Sequence, residues 1–241
     1  MKLYNILHGK TLDEIKTWYT TVKDFNFDGW ALGIHPSTNV YLKLVAYFYL
    51  MEKGETSQLT NAHFFGVSGP SNMISLAMLA KNFDAALTFD SSTWTCGQRF
   101  RDFYLPLDIR HCVRFGRKFK NTINSVPCDC PVCKTNDIIT MYDQTNPMSS
   151  LLLSYHNLYQ YIEVNRMINT MIDDEETFIE YTKSLGEYEL VNNINNMFID
   201  YKNNNTEYVY NKYKYLFSEI KPEKKELETN LFGWPQTLYT E

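Results

Sequence analysis

The sequence predicts an α/β protein built on a parallel sheet, and three observations carry that expectation. Up to Asp90, short apolar runs alternate with helical stretches and return about every thirty residues, the spacing of βαβ units. The runs are apolar almost throughout, as strands are when both of their faces are covered. After Asp90 the alternation stops, and a knot of thiols, Cys128-Asp129-Cys130-Pro131-Val132-Cys133, organises the rest of the chain.

Lys2 to Leu7 is the first predicted strand, closing at His8-Gly9-Lys10. Thr11 with Glu14 three residues on has capping-box spacing, so a helix runs from there to about Lys23. Phe27 to Ile34 is a second strand, ending at His35-Pro36. Asn39 to Lys53 is a second helix closed by Gly54, apolar except for Lys43 over much of its length, and so expected to be buried. Asn61 to Val67 is a third strand, followed by a loop over Ser68-Gly69-Pro70-Ser71-Asn72 and a helix from about Met73 to Asn82. Asp84 to Asp90 is a fourth strand. Ligands of parallel α/β folds meet the carboxyl ends of the strands, which here are His8-Gly9, Gly33-Ile34-His35, Gly66-Val67-Ser68 and Asp90-Ser91-Ser92.

Beyond Asp90, Gly97-Gln98-Arg99-Phe100-Arg101 reads as a basic loop and residues 102–127 as short strands. Arg110, His111, Arg114, Arg117, Lys118 and Lys120 form a local positive patch, either a solvated face or a contact for a nucleic-acid backbone. Ser149 to Thr170 is helical, with Tyr155 and Tyr159 expected in the core. Two further helices are expected between Asp173 and Phe217, broken at Asn203-Asn204-Asn205, before a polar tail from Lys221 to Glu241. Three segments result: βα units over 1–100, a metal-binding segment with a closing helix over 101–170, and a helical extension and tail over 171–241.

Thiolates suit zinc, which takes four ligands at tetrahedral angles in structural sites. Cys128, Cys130 and Cys133 leave one corner open, and His156, at the start of the long helical run, is the candidate for it. A disulfide between Cys128 and Cys130 would close a strained ring. Cys96 and Cys112 read as plain buried thiols, and His63 as a strand residue facing a neighbour. An odd total of five cysteines, three of them clustered, points to a reducing, cytoplasmic-type compartment. The net charge of -5 gives no global attraction to nucleic acid, and no apolar run approaches the length of a membrane span.

Taken together, His8-Gly9, Phe27-Asp28-Gly29-Trp30-Ala31-Leu32-Gly33, Phe64-Phe65-Gly66-Val67-Ser68-Gly69, Phe89-Asp90-Ser91, the Cys128-x-Cys130-x-x-Cys133 knot and His156-Asn157-Leu158 resemble the carboxyl-terminal part of the tRNA-guanine transglycosylase family. Among its branches they most resemble the DpdA-type proteins, which place 7-deazaguanines in DNA. The resemblance covers roughly Met1 to Thr170. It implies a (β/α)₈ TIM-type barrel, of which this chain holds the carboxyl-terminal part, with an inserted subdomain holding structural zinc. It makes Asp90 the nucleophile that attacks the ribosyl C1′ of a target guanosine, expels guanine and holds the sugar covalently until a 7-deazaguanine replaces it. It places His8, Gly33, Ile34, His35, Phe65 and Gly66 around the base, and Arg99 on backbone phosphate. His8-Gly9-Lys10 stands where the family has Gln-Gly-Gly, and Gly33-Ile34-His35 where it often has Gly-Gly-Leu.

The family's Asp-Ser-Gly-Gly-Phe-Gln stretch, with its acid/base aspartate, does not occur in this sequence. Four strands also fall short of the eight that close such a barrel. The expectation is therefore a second chain or a second copy of this one completing the barrel, or a start that is truncated, with DNA or alternatively tRNA as the nucleic-acid partner. A non-catalytic nucleic-acid-binding or assembly subunit, or an unrelated zinc hydrolase, are the other readings.

Overall fold

The computed structural model describes residues 3–25, 27–34, 40–56, 62–114, 128–143 and 145–217. Four strands, β1 (Tyr4–Leu7), β2 (Gly29–Leu32), β3 (Ala62–Phe64) and β4 (Leu87–Phe89), pair in the order β1-β2-β3-β4, every pair parallel. Helices α1 (Leu12–Val22), α2 (Val40–Glu52) and α3 (Gly69–Phe83) make the connections. The strand order never reverses, so this is not the doubly wound sheet, whose order switches direction at its centre.

Each predicted strand is present but shorter than the apolar run that announced it. Thr11 caps α1 by accepting from the Glu14 amide. The Glu14 carboxylate, however, reaches back to the Lys10 amide at 2.8 Å, one residue before the cap. Helix α3 begins at Gly69, four residues earlier than expected. Gly69-Pro70 reads as a loop in sequence, yet proline is at home in a first helical turn, where its missing N–H has no partner to lose.

Among the described residues the two faces of the sheet are unequally covered, where two covered faces were expected; on the second face the central Ala31, 2% exposed, has the one side chain buried as deeply as those of the first. Asn5, Leu7, Trp30, Leu32, Ala62 and Phe64 point one way and are all buried. On the other face Ile6 is 40% exposed, His63 is half-buried and Thr88 is exposed. Parallel sheets seldom leave a face open to water.

Beyond β4 come α4 (Thr93–Phe100), the antiparallel pair β5 (Asp102–Leu105) and β6 (Asp108–Arg114), the short helices α5 (Pro131–Thr135) and α6 (Ile138–Tyr142), and the long α7 (Ser149–Met171). The expected basic loop at Gly97–Arg101 is instead the end of α4. Gly97 signals a break in sequence but is used for close packing, since a Cβ there would lie 3.0 Å from Asn157 Nδ2 on α7. Tyr155, expected in the core, lies on the exposed side of α7.

Three helices rather than two complete the described chain: α8 (Glu175–Ser184), α9 (Tyr188–Asn203) and α10 (Thr206–Tyr213), with the predicted break at Asn203–Asn205. Helix α9 packs onto α3 and α10 onto α2, while α8 rests on α7 and α9; Phe48, Phe83, Phe198 and Tyr201 form a ring cluster that includes a stacked Phe48–Tyr201 pair at 4.3 Å. One main core therefore runs from Leu7 to Tyr213. A second, small cluster of Phe103, Met141 and Leu153 lies under the thiols. Among the described residues, no helix is long and apolar enough to cross a membrane.

Candidate metal centre and strand-end row

The thiol knot folds because Cys130-Pro131 starts a helix. Proline suits the first turn of α5, and Cys130, at the N-cap, accepts the Cys133 amide on its sulfur at 3.3 Å. Two turns of α7 face this knot. His156 is fully buried, and its Nδ1 lies 3.7 Å from Cys128 Sγ and 3.4 Å from both Cys130 Sγ and Cys133 Sγ. All four ligand atoms lie within 4.8 Å of one another.

These distances allow a test of fit. With metal–sulfur bonds of about 2.3 Å and metal–nitrogen bonds of about 2.0–2.1 Å at tetrahedral angles, sulfur and nitrogen stand about 3.6 Å apart. The separations found bracket that value, so the Cys₃His set can hold a metal such as zinc. Burial pushes the Cys128 and Cys133 thiols above their ordinary range and pulls His156 down to about 4. A bound cation would reverse the cost for the sulfurs, because it favours the thiolate.

Neighbouring groups aim the ligands. His156 Nε2 bonds the Tyr104 carbonyl at 2.8 Å, which makes Nε2 the protonated nitrogen and leaves the Nδ1 lone pair facing the sulfurs. Phe103 stacks on the imidazole at 3.7 Å. Gln160, one turn after His156, donates to Cys128 Sγ at 3.4 Å and accepts the Leu107 amide at 3.1 Å. Asn157 accepts the Tyr104 amide at 3.1 Å and donates to the Asp102 carbonyl at 2.9 Å. The role of Gln160 was missed in sequence, where the signal was its spacing of four residues from His156.

The second feature lies at the carboxyl ends of the strands. Register places Leu7, Leu32, Phe64 and Phe89 in one row. The next row is therefore His8, Gly33, Phe65 and Asp90, and the ladder continues through it: Gly33 N to Leu7 O at 2.9 Å, Phe65 N to Leu32 O and Asp90 N to Phe64 O both at 3.3 Å. Four residues singled out in sequence thus share one edge of the sheet.

They do not share one pocket. Three strand spacings of about 4.8 Å put His8 and Asp90 about 14 Å apart across the sheet. His8 Nδ1 bonds the Gly33 carbonyl at 2.8 Å, and its ring meets Trp18 edge-on. A cavity of about 830 Å³ opens beside it, against Asp13, Thr17 and Trp18 of α1. Asp90 borders a different cavity, of about 560 Å³, between β4 and α7, lined also by Phe89, Trp94, Leu158 and Tyr161. Asp90 Oδ1 accepts the Gly66 amide at 2.8 Å, while Oδ2 lies 4.0 Å from His63 Nε2. His63 does face a neighbour as expected, through Nδ1 to Thr88 Oγ1 at 3.0 Å.

The remaining candidates separate. Ile34 is buried in the main core, backbone and side chain alike. Phe65 is 38% exposed. His35, Arg117, Lys118 and Lys120 lie outside the described residues. Arg99 is exposed on the last turn of α4. The described members of the positive patch each have a partner: Arg114 forks onto Asp102 at 2.7 and 3.1 Å, His111 meets Asp108 at 2.6 Å, and Arg110 bonds the Leu185 carbonyl at 2.8 Å. Cys96 and Cys112 are half-buried free thiols outside the metal set, and burial pushes Cys112 up to about 11. No protein-family model matches the chain, and no curated protein matches it at a significant level.

Proposed function

We propose that this chain is the carboxyl-terminal half of a guanine transglycosylase that acts on nucleic acid, DNA in preference to tRNA, with Asp90 as nucleophile. The observation that carries this reading is Asp90 at a strand tip, one oxygen held by the Gly66 amide and the other 4.0 Å from His63 Nε2. Attack of that second oxygen on C1′ would form a glycosyl ester as the C1′–N9 bond to guanine breaks. Attack by N9 of a 7-deazaguanine would then break the ester and restore the carboxylate. Two displacements at one carbon give net retention.

The parallel order without reversal, the unequal cover of the two faces and the edges of β1 and β4 fit one half of a (β/α)₈ barrel. The less covered face, with Ile6, His63 and Thr88, would then line the interior, and the remaining strands would lie outside this sequence. The Cys₃His set fits structural zinc, because four protein ligands leave no position for water or substrate. When bound, the ion would tie α5 to α7 and thereby brace the β5–β6 pair behind Asp90.

The test is mass spectrometry of nucleosides from the DNA and tRNA of cells that carry the gene, its Asp90→Ala variant, or neither. A 7-deazaguanine nucleoside that depends on intact Asp90 is expected, in DNA. A nucleoside that survives Asp90→Ala would remove this residue from the chemistry. Nucleic-acid binding without exchange in any sample would favour a non-catalytic subunit, the reading that the missing Asp-Ser-Gly-Gly-Phe-Gln stretch keeps in view.

A further inference from the structure

Lys43 is the buried cation that neither the metal centre nor the strand row accounts for. It is 3% exposed, in a helix whose other residues from Val40 to Leu50 are all buried. An ammonium taken out of water is costly unless it is paired. Its Nζ donates to the Phe65 carbonyl at 3.2 Å. The other end of that same peptide unit, the Gly66 N–H, donates to Asp90 Oδ1 at 2.8 Å.

The geometry gives this pair of bonds a meaning. All described peptides are trans, so the carbonyl and N–H of the Phe65–Gly66 unit point in opposite directions. A positive charge at the oxygen and a negative charge at the hydrogen both deepen the same dipole, and hydrogen bonds in series polarise one another; the Lys43 end is buried while the Asp90 end is exposed. Gly66 has φ +64, which lets the chain turn so that its N–H faces Asp90. A Cβ there would meet nothing within 4 Å, so the glycine serves the backbone turn rather than a tight fit. The two charges act on each other directly as well: burial pulls the Lys43 ammonium below the ordinary lysine value, and the Asp90 carboxylate pushes it back up.

We propose that Lys43 is a positioning residue for Asp90, acting through the Phe65–Gly66 peptide to hold one carboxylate oxygen fixed and so to set the other beside His63. The relay itself stands on the geometry; its consequence for chemistry rests on the reading of Asp90 as nucleophile. Lysine is the residue this arrangement needs, because a neutral side chain at position 43 would bond the Phe65 carbonyl without charging the peptide.

The test is amide NMR on the full chain, reading the Gly66 proton, with Gly54 and Gly186 as internal references. Asp90→Asn should move the Gly66 proton upfield by weakening its acceptor. Lys43→Met, close in length and without charge, should move it in the same direction while leaving Gly54 and Gly186 in place. Lys43→Gln supplies a neutral donor and should give an intermediate shift; it also serves if the methionine variant does not fold. A Gly66 proton that moves in Asp90→Asn but stays fixed in the folded Lys43 variants overturns the proposal, whatever the chain catalyses. If the shifts appear and no nucleoside exchange is found in cells, the positioning stands and the transglycosylase reading falls. If both hold, Lys43→Met should lower turnover and leave the apparent affinity for nucleic acid unchanged.

Discussion

His156 Nδ1 stands 3.4 Å from Cys130 Sγ because the opposite nitrogen of the same ring is held on the Tyr104 carbonyl at 2.8 Å. One imidazole thereby joins the thiol knot to β5. Removing the metal with a chelator, or changing Cys130→Ala, should lower the melting temperature and raise hydrogen exchange in α5 and the β5–β6 pair first. Unchanged melting and exchange would show that no metal braces this segment. Gln160→Leu, which removes the donor to Cys128, should weaken metal binding about 10–100-fold in a competition titration, the usual cost of losing an outer hydrogen bond to a ligand.

Gly33 is fixed by its neighbour on β1. A Cβ at this position would fall 2.5 Å from His8 Cε1 and 3.1 Å from Ile6 Cγ2. Gly33→Ala should therefore expel His8 from its bond to the Gly33 carbonyl and cost about 1–3 kcal/mol in urea unfolding, the range for overpacking. The double change His8→Ala with Gly33→Ala should recover part of that loss. Equal stability of the single and double variants would contradict the contact.

The helices after α7 belong to the main core. Phe198 is 2% exposed and meets Phe48 and Phe83 edge-on. Phe198→Ala should cost about 3–5 kcal/mol, as deletion of a buried ring does. One cooperative transition at lower denaturant is expected in chemical unfolding. A new early transition, with the sheet intact at higher denaturant, would mean that these helices form a separate unit.

Acid should loosen the junction of α9 and α10. Burial alone would raise the Asp200 carboxyl, but hydrogen bonds from Lys212 and Tyr213 outweigh it and hold it below the ordinary aspartate value. A carboxyl depressed in the folded state adds stability above its unfolded value, and that stability is lost as pH falls through the folded one. Asp200→Asn should accordingly flatten the stability curve below about pH 4 and leave Tyr213 without its charged acceptor at neutral pH. A variant that loses stability as steeply as the parent in acid would exclude this group from the acid limb.

The strands, the first helices and the ligand set were legible in the residues themselves. Apolar runs at βα spacing, Thr11 with Glu14, and three thiols with a later histidine each state a local preference that the fold had no reason to override, although every strand is shorter than its run. Gly69-Pro70 and Gly97 misled because glycine and proline punctuate loops on average. Here one pair opens a helix, and the other residue lets α4 approach α7. Tyr155 misled because α7 turns His156, Asn157 and Gln160 inward to meet β5 and the thiols, which leaves Tyr155 outside.

By itself the sequence determined the parallel βα pattern and the chemistry of the Cys₃His cluster, since both stem from residue type and short-range spacing. Only the tertiary structure decided that the described residues cover the two faces of the sheet unequally, that His8 and Asp90 sit at opposite ends of one row, and that Lys43 reaches Asp90 through a single peptide. Those relations join residues far apart in the chain, and strand register and helix packing, which no local preference encodes, bring them together.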